Sequence, residues 1–361
     1  MIYLDYQATT PLAPEARDAM LHWLDGPAGT GFGNPHSPHR YGREAAAAVE
    51  LARDRVAALF PPGGRVIFTA SATEALNIAI RGCAPVIAGQ GIAVSAIEHA
   101  AVWDTAQALA NPFHEIAVDA QGLVDGSGPL PAGTGLVAVM QVNNEIGTVQ
   151  PVAEIARAAK AAGALFVCDA VQAAGKMALP LADCIAISAH KLHGPKGIGA
   201  LWIRDGLELA PLVTGGGQEG GLRSGTLSPA LCAGFGAAAK LATERMEADR
   251  EHVEALWNRA IELFDGWILN GSATARWHGN LNLRRDWLDV ARLMSDVRDV
   301  AFSAGSACAS GSGKPSRVLR AIGLSDKDSK TSIRLGFGRY TGMDDLERAA
   351  AAIIAAAGTQ G

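Results

Sequence analysis

The sequence predicts an α/β fold: a large domain built on a mainly parallel β-sheet covered by helices, and a smaller α+β domain towards the C-terminal end. Two observations predict this fold. Short β-branched stretches alternate with helical ones from about residue 15 to residue 245, which is typical of a parallel sheet with helices on both faces. The length of 361 residues also exceeds what one hydrophobic core usually serves, so we expect a second domain.

The predicted strands of the large domain follow one another with helices between them. They are RVIFTA, GIAVSA, HEIAVD, LVAVMQ, ALFVCDA, CIAISA and GALWIR, and the helices include HRYGREAAAAVELARDRVAALF and PVAEIARAAKAAG. A long charged helix, PALCAGFGAAAKLATERMEADREHVEALWNRAIELF, then leads into a region with weaker strands near GNLNLRR and VAFSAG and a closing helix, DDLERAAAAIIAAAG. We therefore predict a large domain over residues 15–248 and a small domain formed by residues 1–14 and 249–361.

Composition limits the classes of function. The chain is 49% hydrophobic and 19% charged, with a net charge of -5, which is typical of a globular protein. Its mildly acidic balance argues against direct binding of a nucleic-acid backbone. The N-terminal stretch MIYLDYQATTP does not have the pattern of a signal peptide, and no apolar run is long enough to span a bilayer. We predict a cytoplasmic protein that binds neither nucleic acid nor membrane.

The cysteines divide into two kinds. The chain has five, without CxxC spacing, which argues against a disulfide framework and a zinc site, so we predict no metal site. Four lie in apolar stretches and are predicted to be core thiols, as free cysteines usually are: Cys83, Cys168, Cys184 and Cys232. Cys308 is different, because FSAGSACASGSGKPS surrounds it with small residues that cannot bury it. We predict an exposed thiol on a mobile loop.

Polar residues follow several predicted strands where those strands end. Ligands of open α/β sheets bind at the carboxyl ends of the strands. Ser71 or Thr73 begins a helix after RVIFTA, which suits either a phosphate or a plain helix cap. His99 follows GIAVSA, Asp169 ends the apolar run FVCD, and Lys191 follows CIAISA. These side chains are therefore predicted to meet at one edge of the sheet.

The combination of these groups indicates a cofactor. A carboxylate at the end of a buried strand needs a positive partner, so a cation should face Asp169. Lys191 alone could equally be an exposed loop lysine, and a lone histidine such as His99 is more often structural. Together, however, a phosphate-binding helix start, an aspartate for a ring nitrogen and a lysine for a carbonyl are what pyridoxal phosphate requires.

Ten sequence blocks carry a resemblance to a known family. They are YLDYQATTP, FGNPHSPHRYG, TASATEALNIAI, EHAAV, VNNEIGTVQP, CDAVQAAGK, SAHKLHGPKGIGAL, GGGQEGGLRSGT, SAGSACASGS and SIRLGFGRYT. In this order they resemble the signature blocks of the NifS/IscS-type cysteine desulfurases, which belong to the class V aminotransferases and have the pyridoxal-phosphate-dependent fold type I. The blocks cover nearly the whole chain, so the resemblance is specific.

The resemblance implies a role for each site residue. Lys191 would carry the cofactor and move the substrate α-proton, and His99 would stack on the cofactor ring and assist proton transfer. Asp169 would pair with the ring nitrogen, and Gln172 would bind the phenolic oxygen. The remaining residues would bind the phosphate (Ala72, Thr73, Ser188, His190 and, from the neighbouring subunit, Thr226) or the substrate carboxylate (Asn144, which also contacts the cofactor, and Arg334).

The resemblance also implies a reaction. L-Cysteine would be converted to L-alanine, and its sulfur would pass to the thiol of Cys308 as a persulfide. That sulfur would supply iron–sulfur clusters or other thio-cofactors through an acceptor protein, and the enzyme would be a homodimer with shared active sites. Two alternatives stay open: another pyridoxal-phosphate enzyme, such as a selenocysteine lyase or a transaminase, and a non-catalytic sulfur-carrier module.

Overall fold

The structure, a computed structural model, describes residues 1–305 and 316–360. Its helices are α1 (Pro14–Leu21), α2 (Arg40–Ala57), α3 (Ala72–Cys83), α4 (Ala100–Gln107), α5 (Val152–Ala161), α6 (Pro229–Leu263), α7 (Val290–Asp296), α8 (Arg317–Ala321), α9 (Asp326–Lys330) and α10 (Met343–Gly358). Its strands are β1 (Ile2–Tyr3), β2 (Gly64–Thr69), β3 (Gly91–Ser95), β4 (Phe113–Ile116), β5 (Thr134–Ala138), β6 (Leu165–Asp169), β7 (Cys184–Ser188), β8 (Gly199–Arg204), β9 (Ile268–Leu269), β10 (Asn280–Arg284), β11 (Val300–Ala301), β12 (Ser303–Ala304) and β13 (Ser332–Gly336).

The main sheet is mostly parallel, as predicted. Within the described residues it has seven strands in the order β2-β8-β7-β6-β5-β3-β4. The strands from β7 to β4 pair in parallel, whereas β8 runs antiparallel to both of its neighbours. Each predicted strand stretch overlaps one of these strands, so the α/β fold class is confirmed. The carboxyl ends of β2, β3, β5, β6 and β7 therefore lie at one edge.

Helices cover both faces of this sheet. Along β6, Phe166 and Cys168 face one apolar cluster, which includes residues of α2, α5 and α6, while Val167 faces a second cluster built with α3 and α4. This alternation follows from the two-residue period of a strand that is buried on both sides. The four predicted core cysteines, Cys83, Cys168, Cys184 and Cys232, are all buried, which confirms that part of the prediction.

The N-terminal segment connects the main sheet to a second, smaller one. The smaller sheet has the antiparallel order β12-β13-β10-β9. The amide of Gly336 in β13 donates to the carbonyl of Leu4 at 2.8 Å, and the amide of Thr10 donates to the carbonyl of His190 at 2.9 Å. Residues 1–14 thus contact both sheets, and α6 crosses position 248 without a break. The domain limits stay a prediction.

A buried ion pair anchors the loop that precedes Thr226. Glu219 has a left-handed backbone with φ of 50° and a side chain only 3% exposed. Its carboxylate accepts two hydrogen bonds from the Arg53 guanidinium, both at 2.8 Å, and one from the amide of Phe68 at 2.7 Å. A bidentate arginine–carboxylate pair fixes direction as well as distance. The pair therefore ties this loop to α2 and to β2.

Loss of the Glu219 carboxylate is expected to be strongly destabilising. Glu219→Ala leaves a mostly buried guanidinium without its main partner, which should lower the free energy of unfolding by about 3 kcal/mol in urea denaturation. Glu50→Ala is the matched control, because Glu50 binds the same arginine but is 63% exposed. That change should cost roughly 0.5 kcal/mol or less. Equal losses in the two variants would contradict the role given to the buried pair.

Candidate active site

A cavity of about 230 Å³ lies at the edge where the strands of the main sheet end. Ten of the eleven predicted site residues that the structure describes line this cavity. The eleventh, Thr226, is exposed and does not line it. Cys308 lies outside the described residues. The structure therefore brings most of the predicted site together around one space.

One end of the cavity is suited to an anion. The helix α3 begins here, with the Ser71 hydroxyl accepting from the amide of Glu74 at 3.3 Å. Helix geometry leaves the amides of Ala72 and Thr73 without acceptors inside the helix. A Cβ atom at Gly199 would lie 2.8 Å from the Ala72 nitrogen, so only glycine lets β8 pass this close to the helix start.

Ser188 and His190 complete this end of the cavity. Ser188 is buried at the end of β7. Burial, followed by the positive charges of Lys191 and Lys196, lowers the pKa of His190 to about 4, so its ring is neutral near pH 7. The His190 Nδ1 lies 3.1 Å from the Thr9 hydroxyl. Uncharged donors and free helix amides form a site that suits a phosphate group.

Asp169 and His99 lie deeper in the same cavity. Asp169 ends β6, is 6% exposed, and accepts a hydrogen bond from the amide of Val171 at 2.9 Å. Burial raises the pKa of Asp169, whereas the Val171 amide and the charges of His99 and Lys191 act in the opposite sense. The predicted cation near Asp169 is therefore present as Lys191. His99 caps α4, because its Nδ1 accepts from the amide of Ala101 at 3.1 Å, and this contact orients its ring.

The N-terminal segment supplies one wall of the cavity. Lys191 Nζ donates to the carbonyls of Gln7 and Ala8, the latter at 2.8 Å. The Nε2 of Gln172 also donates to the Gln7 carbonyl, at 3.0 Å. Gln7 and Ala8 were not predicted to line the site, because they act through backbone carbonyls, which side-chain type does not reveal. The only signal for them is their place in the block YLDYQATTP.

Arg334 approaches the cavity from the smaller sheet. It lies in β13, and the residue is only 2% exposed. Its Nη1 donates to the carbonyl of Asn144 at 3.0 Å, and its Nη2 donates to the Asp5 carboxylate at 2.8 Å. The guanidinium and Asn144 are thus adjacent, as a shared role towards a carboxylate requires.

Two buried acids next to the site were assigned no role from the sequence. Glu98 accepts from the Ser95 hydroxyl at 2.6 Å and from the amide of Met140 at 2.7 Å, and burial raises its pKa to about 8. Glu145 accepts from the Ser316 hydroxyl at 2.5 Å, and burial raises its pKa to about 6. Glu98 is therefore mostly protonated near pH 7.

The donor set as a whole fits pyridoxal phosphate. The helix start and the Ser188 and His190 side chains suit its phosphate, the buried Asp169 carboxylate suits a protonated ring nitrogen, and Lys191 lies within the same cavity. No cluster of histidine, cysteine, aspartate or glutamate that could hold a metal ion occurs among the described residues.

Comparison with known proteins decides the family. The class-V aminotransferase model matches residues 2–349. The mitochondrial cysteine desulfurase of Drosophila melanogaster is 41% identical over 366 residues, which are 96% of this chain and 78% of that protein. The chain belongs to the cysteine desulfurases of the class-V aminotransferase family. Enzymes of this family depend on pyridoxal phosphate, so the predicted activity and cofactor are confirmed.

Solved structures agree with this assignment. A NifS-like protein superposes with a TM-score of 0.89 at 29% identity, covering 98% of both chains. A structure described as SspA in complex with cysteine has a TM-score of 0.83 at 31% identity, over 95% of this chain and 100% of that one. Within the described part of this desulfurase, every helix is too short or too polar to cross a bilayer.

Proposed function

We propose that this chain removes sulfur from L-cysteine, releases L-alanine, and uses the Cys308 thiol as the first sulfur acceptor. The observation that carries the proposal is the single cavity lined by Lys191, Asp169 and Arg334. The net reaction moves one sulfur atom: the carbon–sulfur bond of cysteine breaks, a sulfur–sulfur bond forms on Cys308, and the remaining atoms leave as alanine. A relative of known structure has been obtained in complex with cysteine, which supports the choice of substrate.

The residues around the cavity would divide the work of binding. The amides at the start of α3, with Ser188 and His190, would hold the cofactor phosphate, and the Asp169 carboxylate would keep the ring nitrogen protonated. When bound, pyridoxal phosphate supplies an electron-withdrawing ring that stabilises negative charge at the substrate α-carbon. Arg334 and Asn144 would hold the substrate carboxylate, which fixes the α-carbon relative to Lys191.

Lys191 and His99 would move the protons. The Lys191 amine is held by backbone carbonyls at the cavity wall, where it can accept the α-proton of the substrate and return a proton later. His99, oriented by its helix-capping bond, can donate or accept a second proton within the same cavity. The Cys308 thiolate would then attack the substrate sulfur, because the thiolate and not the thiol is the nucleophile.

Product analysis tests this function directly. The holoenzyme is incubated with L-cysteine, free L-alanine is measured by chromatography, and protein-bound sulfur is located by peptide mass spectrometry. We expect about one alanine per sulfur bound in the first turnover, with the added sulfur on the peptide that contains Cys308. Absence of alanine would support a sulfur carrier instead, whereas much faster release of alanine from L-selenocysteine would support the lyase alternative.

We further propose a homodimer in which Thr226 completes the phosphate site of the neighbouring subunit. Thr226 is exposed and lies away from its own cavity, as a residue given to a partner must. Large apolar side chains at the end of α1 and in the segment after it are also exposed, including Leu21, Leu24 and Phe32. Such exposed apolar side chains favour association.

Mixing of two defective variants tests the shared site. A dimer of Thr226→Ala with Lys191→Ala contains one complete site, formed by the lysine of the first chain and the threonine of the second. Activity above that of either variant alone is expected after subunit exchange. No gain on mixing, with subunit exchange verified by native mass spectrometry, would contradict a shared site.

Two further predictions concern the cell. A persulfide is useful to other pathways only when a second nucleophile takes the sulfur, so we propose an acceptor protein, such as one that builds iron–sulfur clusters or other thio-cofactors. The cytoplasmic location stays a prediction, since the relatives include a mitochondrial protein.

A further inference from the structure

The block YLDYQATTP contains an acidic residue, Asp5, that the proposed mechanism does not use. Its Oδ1 accepts hydrogen bonds from Arg334 Nη2 at 2.8 Å and from the Ser303 hydroxyl at 2.9 Å. The Arg334 side chain is 3% exposed and that of Asp5 is 19% exposed, so water screens this ion pair only weakly. Asp5 is separated from Arg334 by 329 positions in the chain, and only the fold brings them together.

The contacts of Arg334 fix the plane of its guanidinium. One terminal nitrogen donates to the Asn144 carbonyl at 3.0 Å, and the other donates to Asp5 and, at 3.3 Å, to Ser303. Because the guanidinium is planar, acceptors at both terminal nitrogens define its orientation. Loss of Asp5 would leave this second nitrogen with only the longer contact to Ser303, so the guanidinium would be oriented less firmly.

Hydrogen bonds hold the backbone around Asp5 in place. The amide of Gly336 donates to the carbonyl of Leu4 at 2.8 Å, so the residue before Asp5 is bound to the strand that carries Arg334. The amide of Tyr6, the residue after Asp5, donates to the carbonyl of Gly336 at 3.3 Å. The Tyr3 hydroxyl also donates to the Asp5 carbonyl at 3.1 Å. The backbone is therefore hydrogen-bonded on both sides of Asp5, which limits where its carboxylate can lie.

We propose that Asp5 is a positioning residue for recognition of the substrate carboxylate, acting through the orientation of Arg334. The proposal rests on the proposed function, in which Arg334 binds that carboxylate. Charge alone predicts the opposite effect, because a negative Asp5 near the site repels a negative substrate group. Positioning and charge therefore give opposite signs when Asp5 is removed, and an experiment can separate them.

L-Alanine and ethylamine form a matched pair of probes. Ethylamine lacks the carboxylate of L-alanine and is otherwise the same molecule. Neither contains sulfur, so no sulfur transfer takes place during the measurement. Binding to the holoenzyme is measured by calorimetry for the parent protein and for Asp5→Ala and Asp5→Asn. We expect Asp5→Ala to weaken L-alanine binding about tenfold or more, because a charge-assisted hydrogen bond is lost, and to change ethylamine binding less than about twofold. Asp5→Asn keeps an acceptor oxygen and should restore most of the affinity.

Steady-state kinetics supply a second readout. In Asp5→Ala, the KM for L-cysteine should rise about tenfold while kcat changes less than about threefold, as expected for a lost contact to the substrate carboxylate. Unchanged or tighter L-alanine binding would overturn the proposal, and so would equal losses for L-alanine and ethylamine, which indicate a merely structural role.

Arg334→Lys separates failure of this proposal from failure of the proposed function. If that variant binds L-alanine as well as the parent protein does, recognition of the carboxylate does not depend on the planar guanidinium, and the contact proposed for Arg334 is wrong. If Arg334→Lys loses L-alanine selectively but Asp5→Ala does not, only the role of Asp5 is wrong.

Discussion

Replacement of Lys191 by alanine is expected to abolish both alanine production and covalent retention of the cofactor. Lys191 lines the cavity, and in the proposed function its amine both attaches the cofactor and transfers protons. Proton transfer by a positioned group alone contributes factors of up to about ten thousand, so activity should fall by about a thousandfold or more. Borohydride reduction followed by mass spectrometry measures retention, because it fixes the cofactor to its lysine.

The variant should fold normally, which makes its result interpretable. Lys191 is half-buried and donates to the carbonyls of Gln7 and Ala8, which water can satisfy in its absence. Lys196→Ala is the matched control, because Lys196 is exposed in the same glycine-rich turn and only its charge reaches the neighbouring His190. Cofactor still attached to the protein after Lys191→Ala, or lost in both variants, would disprove the assignment.

The main sheet and part of the site could be predicted from the sequence, because the strands are apolar runs whereas the site residues are polar or charged. Strands such as β6 and β7 are buried on both faces and consist almost wholly of apolar residues. A charged residue at the end of such a run or shortly after it stands out, as Asp169 and Lys191 do. Parallel strands bring those ends to one edge, so the meeting of these side chains follows from topology.

The rest of the site depends on contacts that no local pattern encodes. The bonds from Lys191 to Gln7 and from Arg334 to Asp5 join positions 184 and 329 residues apart. One uses a backbone carbonyl, which every residue possesses, and the other uses an acid in a short stretch without helical or strand periodicity. Glu98 was missed for a related reason, because a buried acid and an exposed one look alike in a sequence until the fold places them.

Replacement of Cys308 by alanine is expected to stop sulfur transfer while leaving L-cysteine binding intact. Cys308 lies outside the described residues, but the four other thiols limit which cysteine can accept the sulfur. They are all buried, and burial raises the pKa of Cys232 to about 12 and also raises that of Cys168 well above its ordinary value. Since attack on sulfur needs a thiolate that can reach the substrate, these four buried thiols cannot replace Cys308.

The expected result is a fall in alanine production of about a hundredfold or more, as for loss of a reacting nucleophile, with less than about threefold change in the affinity for L-cysteine. Alanine is measured by chromatography and the spectral change on adding L-cysteine reports binding. Cys232→Ala serves as the control, because it removes a thiol from the core without touching the cavity. Undiminished alanine production in Cys308→Ala would mean that sulfur leaves the substrate without this thiol, and the lyase alternative would then account better for a cavity that still contains Lys191, Asp169 and Arg334.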